Sequence, residues 1–220
     1  MDPSTIPAPG SSERTRVRRI PEKAVEDRGV LETILDAGLV AHVGIVDESG
    51  QPYVVAVAYA RDGDRLLFHG STGSRLFRRL AEGAPTCVTV TLLDGLVLAR
   101  SAFESSMNYR GAMALGTCTV LEDGERDAAL RIISDHLLPG RWDDIRPPSK
   151  KELAATLVLA LPLDEASAKV SDKMPADDPQ DLDRPVWGGV VPIHETFGAP
   201  VPDELGAAYA TPLYLESWTR

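Results

Sequence analysis

Residues 96–121, LVLARSAFESSMNYRGAMALGTCTVL, decide how the rest of the chain is read. Val97-Leu98-Ala99 and Ala112-Met113-Ala114-Leu115 are apolar enough to be buried strands, and Thr117, Thr119 and Val120 prolong the second in β-branched residues. Between them lie Ser101, Ser105, Ser106, Asn108, Tyr109 and Arg110, where a surface hairpin would carry Gly-Asn or Asp-Gly. Hydroxyls, an amide and a guanidinium are the groups that hold a polar ring and a phosphate. The stretch therefore reads as the floor of a cofactor site; a polar hairpin loop with a stray arginine is the other reading of the same residues. Just upstream, residues 85–91 form a strongly β segment, and Asp94-Gly95 is expected to be the turn that leads from it into the organising stretch.

Further upstream, residues 22–37 place Ala24, Val25, Val30, Leu31, Ile34 and Leu35 near helical spacing, with Pro21 at the first turn and Gly38 as the stop. Residues 39–46, 53–59 and 65–69 then read as three strands joined by the turns Asp47-Glu48-Ser49-Gly50 and Asp62-Gly63-Asp64. His42 falls among apolar neighbours in the first strand and is expected to be a satisfied core histidine. The run His69-Gly70-Ser71-Thr72-Gly73-Ser74-Arg75 ends a strand, passes through small residues and enters a helix over 74–82. That geometry offers backbone N–H groups to an anion, with Arg75 as counter-charge, while an ordinary N-capped helix explains the same residues.

Downstream, residues 125–138 put Ala128, Ala129, Ile132, Ile133 and Leu137 on one helical face, with His136 in a last turn where positive charge suits the helix dipole. A short helical turn over 149–154, a buried strand over 156–163 and a half-exposed strand over 167–171 follow. About six strands with short connections and no sustained strand–helix–strand alternation predict a mainly β, α+β fold: an antiparallel barrel with peripheral helices.

At 220 residues the chain suits one domain, and its net charge of −10 sets the whole-molecule field against nucleic acid and anionic membranes. The cluster Arg14, Arg16, Arg18 and Arg19 departs from this, but without interleaved aromatics it reads as a solvated or partner-docking segment. Cys87 and Cys118 sit in strand-like contexts and form no CxxC pair, so they read as core thiols of a reducing compartment. No signal-peptide pattern opens the sequence, and a cytoplasmic protein is expected. Residues 1–15 are expected to be disordered, 16–174 to form the domain, and 175–220 to be an extension docked on it. Seven of the 17 prolines lie beyond Lys173, too many for a segment with its own core. Trp187, flanked by glycines, reads as the anchor of that extension.

Four motifs in order, HGSTGSRL at 69–76, SSMNYRGAMALG at 105–116, ASAKVSDKM at 166–174 and VWGGVVP at 186–192, make the chain similar to the pyridoxamine 5′-phosphate oxidase-like superfamily, in its nitroimidazole-resistance-like branch of flavin-nucleotide-binding proteins. The resemblance implies an FMN-binding split β-barrel that forms a homodimer with FMN in the groove between subunits. It implies Arg75 on the FMN phosphate, and His69, Ser74, Ser101, Ser106, Asn108, Tyr109, Arg110, Ser167, Lys169 and Trp187 as further cofactor contacts. The implied activity is that of an FMN-dependent oxidoreductase acting on a small molecule, with His69 as proton donor or acceptor-orienting group, or as a hydrogen-bond donor behind the cofactor. A non-catalytic flavin carrier or sensor is the rival class, and a barrel holding haem or a deazaflavin a more distant one. The Gly, Ser and Thr beside His69 in sequence count against haem, whose axial ligand sits in an apolar pocket. No metal-ligand spacing or Gly-x-Ser-x-Gly elbow supports a hydrolase. The branch places an arginine two residues after its Ser-x-Lys lysine and a serine after its Tyr-Arg pair; here Ser171 and Gly111 stand there, so its substrate does not carry over.

Overall fold

The computed structural model describes residues 6–218. In chain order the elements are β1 (Ala24–Val25), α1 (Arg28–Ala37), β2 (Val40–Val46), β3 (Pro52–Asp62), β4 (Arg65–Ser71), α2 (Arg75–Ala81), β5 (Thr86–Leu98), β6 (Ser106–Gly116), β7 (Thr119–Val120), α3 (Asp123–Leu137), α4 (Lys150–Ala154), β8 (Thr156–Pro162), β9 (Glu165–Ser171) and β10 (Gly189–Pro192). The strands follow one antiparallel path, β1-β9-β6-β5-β2-β3-β4-β8-β7, with β10 added to β5. Among the described residues the two ends of the path, β1 and β7, do not pair, so the sheet curls without closing.

Alternation along the strands assigns the two faces. Ala41, Val43 and Ile45 of β2, Val88 and Val90 of β5, and Ala112 and Ala114 of β6 are at most 5% exposed and enclose the main core with Leu66, Phe68, Leu159 and Leu161. Helix α1 closes one mouth of that core with Leu31, Ile34 and Leu35. A smaller core lies on the other side of the sheet, where Ala129 and Ile133 of α3 cover Ala60, Leu67, Val158 and Ala160. Gly38, just after α1, allows a close approach: a Cβ there would stand 2.4 Å from Val90 Cγ1.

Several expectations are corrected. The first helix starts at Arg28, not at 22, because the Asp27 carboxylate caps it, accepting from Gly29 N at 2.8 Å; Ala24 and Val25 instead pair with Lys169 and Ala168 of β9. Asp94-Gly95 is not a turn. β5 runs 13 residues through it with a register shift between Leu93 and Gly95, and the true turn lies between Leu98 and Ser106. The shift accommodates β10, since the Cβ position of Gly95 is only 3.0 Å from the Val191 carbonyl.

The N-terminal segment is ordered from residue 6 onward, while residues 1–5 of the stretch expected to be disordered lie outside the described residues. Gly10 N bonds Ala166 O at 2.7 Å, Ser12 Oγ and Arg14 both reach Glu165, and Thr15 is buried, so this segment covers the β9 edge. His42, finally, is exposed: its neighbours Ala41 and Val43 take the core face and the strand period turns His42 the other way. His136 behaves as a packed helix-end residue, its Nε2 2.7 Å from Gly38 O and its ring beside Tyr59.

The C-terminal extension is held at several points. The Asp177 carboxylate accepts from Arg100 N at 2.6 Å and from its guanidinium at 2.8 Å, β10 pairs with β5, and Trp218 Nε1 donates to Pro139 O at 3.0 Å. Trp187 is not the buried anchor expected of it: its side chain is 64% exposed and lies over Gly189.

Candidate cofactor site

The side of the sheet opposite the main core is only partly covered. Where α3 stops, β2, β3, β5 and β6 expose a floor of small and apolar side chains. Strand register sets it out: His42 stands between Ala56 and Thr89, Gly44 between Val54 and Cys87, and Val40 opposite Ala58. The floor continues through Thr89 to Met113 and Cys87 to Leu115. Val40 and Val54 are 48% and 68% exposed, apolar surface that the described chain leaves open to a ligand or a second subunit.

His69 stands on this side, two residues past Leu67 on β4, and its strand partner is Val158. Its sequence neighbours are polar and small, but its neighbours across the sheet are not. Partial loss of surrounding water lowers its pKa below the ordinary histidine value, although the residue is exposed on this open face. The shift favours the neutral imidazole, whose unprotonated ring nitrogen can accept a proton or bind a metal.

The other expected residues fall into three groups. At the β2–β3 hairpin end, Ser74 caps α2, its Oγ accepting from Phe77 N at 3.5 Å, and the Arg75 guanidinium stacks on Tyr53 at 3.9 Å from the ring centroid. They border a cleft of about 340 Å³ lined by Ile45, Asp47, Glu48, Arg75, Arg78, Arg79 and Glu82. The preceding loop does not offer the free N–H groups its sequence suggested: Thr72 N bonds Ala155 O, Gly73 N bonds Ser71 Oγ, and Ser74 N bonds Ser71 O. The carboxylates of Asp47, Glu48 and Glu82 line the cleft too, and two of them hold Arg79, so Arg75 and Arg78 are the guanidinium groups left to meet an anion.

On β6 and β9, Tyr109 and Lys169 share the open face with Gly111, which pairs with Lys169, while Ser167 faces Met113 and is buried. Lys169 Nζ donates to Arg19 O at 3.2 Å. Gly111 has no close neighbour to forbid a side chain, the nearest atoms to its Cβ position being the Tyr109 ring at 3.7 Å.

The third group is committed within the chain. Asn108 is buried and holds both main-chain groups of Lys173, donating to its carbonyl at 3.0 Å and accepting from its N–H at 3.1 Å. Arg110 forms a two-pronged ion pair with Asp94, which raises its already high pKa. Ser101 shapes the turn after β5: its Oγ accepts from Glu104 N, and its carbonyl accepts from Ser105 Oγ. Ser106 begins β6 opposite Val97. Arg75 on one side and Tyr109 and Lys169 on the other thus belong to parts of the sheet with several strands between them.

Sequence reasoning missed Tyr53 beneath Arg75, Ala56 and Ala58 in the floor, and Lys23, whose ammonium sits 5.7 Å from the Tyr109 ring centroid. Among the described residues no group of three or more His, Cys, Asp or Glu could hold a metal ion, and no helix is long and apolar enough to cross a membrane.

This architecture is shared with known proteins. The FAD and heme binding protein from Mycobacterium smegmatis is 41% identical, over 90% of this chain and 97% of that one, with a TM-score of 0.86. The flavocytochrome Anf3 from Azotobacter vinelandii is 39% identical over 97% of this chain and 99% of its own, with a TM-score of 0.89. A candidate 5-nitroimidazole antibiotic resistance protein from Bacteroides thetaiotaomicron is 28% identical over 67% of this chain and 86% of its own, with a TM-score of 0.57. No curated protein matches significantly. The profile of the pyridoxamine 5′-phosphate oxidase family matches residues 27–170, more than half of the sequence. The split, antiparallel sheet and that match lead to one assignment: the chain belongs to the pyridoxamine 5′-phosphate oxidase family.

Proposed function

We propose that this protein is a two-cofactor redox protein, a homodimer that binds a flavin and haem and passes electrons between them. The observation that carries the reading is that two proteins about 40% identical over at least 90% of this chain are described as binding FAD and heme and as a flavocytochrome. FAD is favoured over the FMN implied by the nitroimidazole-resistance resemblance, because that branch matches a shorter part of the chain at lower identity.

The residues present fit such ligands. Ala56, Ala58 and Gly44 leave a floor low enough for a flat ring system to approach the sheet, and the His69 imidazole beside it would hold the haem iron through a ring nitrogen. Arg75, backed by Tyr53, and its neighbour Arg78 supply fixed charge for a phosphate. When bound, a flavin supplies two-electron and a haem one-electron chemistry. The protein's part is to hold the rings, keep the His69 ring nitrogen unprotonated, and exclude water from the floor.

Exclusion of water supports the homodimer. The chain exposes 13519 Å², whereas a compact monomer of this mass would expose about 9,800 Å². Each subunit of an obligate dimer buries roughly 1,000–2,500 Å², so the excess leaves room for such an interface beside the area that the extended N- and C-terminal segments expose. A two-fold axis against the open floor would also bring the Arg75 side of one subunit towards the Lys169 side of the other.

The test is reconstitution of purified protein with FAD, FMN and haem, followed by spectroscopy, mass analysis of bound ligand, and sedimentation at both cofactor wavelengths over a dilution series. Flavin and Soret absorbance travelling with a dimer is expected, and His69→Ala should lose the Soret band while keeping flavin. A monomer carrying both cofactors would refute the shared site, and failure to take up haem would refute the flavocytochrome reading.

A further inference from the structure

A two-cofactor site must neutralise two anionic ends, and Arg75 stands at only one side of the sheet. On the other side, in a chain of net charge −10, three lysines lie close enough to act on one another, one of them over the Tyr109 ring. Lys23 lies over the ring, Lys169 comes from the strand beside it, and Lys173 from the chain that leaves β9. Among the described residues none of the three forms an ion pair.

The group is held together against its own repulsion. Burial lowers the Lys23 pKa most, followed by the charges of Lys173 and Lys169, while Glu22 acts in the opposite sense and more weakly. Asn108 grips both main-chain groups of Lys173. Ile20 adopts a left-handed backbone with φ 55°, a strained state for a β-branched residue. That turn feeds residues 21–23, which carry Lys23 to the Tyr109 ring, and leaves the Arg19 carbonyl on Lys169 Nζ. Three like charges brought together without a carboxylate partner form a patch whose natural counterpart is an anion.

We propose that Lys23, Lys169 and Lys173 form a second anion site, which takes the paired negative charges at one end of a cofactor: the diphosphate of a flavin dinucleotide or the two propionates of haem. The proposal rests on the two-cofactor reading, and its chemistry is the same for either source. Tyr109 supplies the flat side of the site, Gly111 the clearance beside it, and the lysines three ammonium groups, each with several N–H donors, for two adjacent charges.

The experiment compares wild type with the double variant Lys23→Gln, Lys173→Gln, titrating FAD, riboflavin, haem and haem dimethyl ester into apoprotein. The expected result is a loss of about tenfold or more in affinity for FAD or for haem, with a shallower salt dependence. The partner lacking the anionic end, riboflavin or the dimethyl ester, should bind unchanged, and whichever pair separates identifies the source. Lys23→Arg with Lys173→Arg should restore binding. Unchanged affinity for both cofactors, or an equal loss for the uncharged analogues, would overturn the proposal. If wild type takes up neither cofactor, the two-cofactor reading fails, and inorganic pyrophosphate decides the site separately. Pyrophosphate bound by wild type and not by the double variant keeps the anion site; none bound by either overturns it.

Discussion

Asn108→Ala separates two accounts of the organising stretch. By sequence Asn108 is a candidate cofactor contact; in the structure it is an 8% exposed clamp on the exit of β9, with its donor and acceptor both spent on Lys173. Removing the amide deletes two neutral hydrogen bonds, each worth about 0.5–1.5 kcal/mol net, and burial keeps water from replacing them. The expected cost is about 1–3 kcal/mol, a factor of roughly 5 to 150 in the folding equilibrium. The assay is urea unfolding of cofactor-free protein at one fixed concentration, read as a shift of midpoint at constant slope. Asn108→Asp should fall between, since it keeps the acceptor for Lys173 N–H and turns a carboxylate towards the Lys173 carbonyl. A loss under about 0.5 kcal/mol in the apoprotein, with cofactor affinity nonetheless reduced, would refute the clamp and restore Asn108 as a direct ligand.

Gly70→Ala should destabilise by about 1–3 kcal/mol through overpacking, because its Cβ would lie 2.3 Å from the Phe77 ring; a midpoint equal to wild type would show that α2 moves freely off β4. The Asp177 clasp should open in acid. Hydrogen bonds from Arg100, the backbone one first, hold the Asp177 pKa below the ordinary aspartate value of 3.8, so its stabilisation is complete above that value and is lost as pH falls through the lower, folded-state pKa. Hydrogen exchange or proteolysis of residues 175–192 should therefore rise only at strongly acid pH in wild type and be high throughout in Asp177→Ala; equal protection in both would remove the clasp as the tether.

The fold was legible because its signals are local. Ala41, Val43 and Ile45 alternate with outward residues, Asp62-Gly63 closes a tight turn, and Ser149 caps a short helix with Glu152 completing the box. What local pattern misassigned was settled from a distance. Asp94-Gly95 has the composition of a turn, yet the later strand β10 reaches back to pair with Gly95 and Leu96, and a β-bulge with that partner keeps β5 extended. Residues 24–25 continue a helical spacing, but the free edge of β9 offers them backbone hydrogen bonds that a frayed helix start would lack. The Pro/Ser/Gly segment before residue 16 likewise gains order from Ala166 and Glu165, more than 150 residues away.

The site was less legible, for a reason that the residues make plain. Polar residues in a loop attract notice, and of those singled out Asn108, Arg110 and Ser101 serve the protein's own hydrogen bonding. The features that give a flat ligand room are alanines and glycines, whose meaning lies in the absence of a side chain and shows only when Ala56 is set beside His42 and Val54 beside Gly44. His42 and His69 differ in the same way: each has ordinary neighbours in sequence, and only strand parity decides that both face away from the main core, towards the open face. Charge repeats the lesson, since Lys23, Lys169 and Lys173 are 150 residues apart at the extremes and no local window contains them. A candidate binding surface assembled across six strands is therefore written in the pairing register, and becomes readable once the fold supplies it.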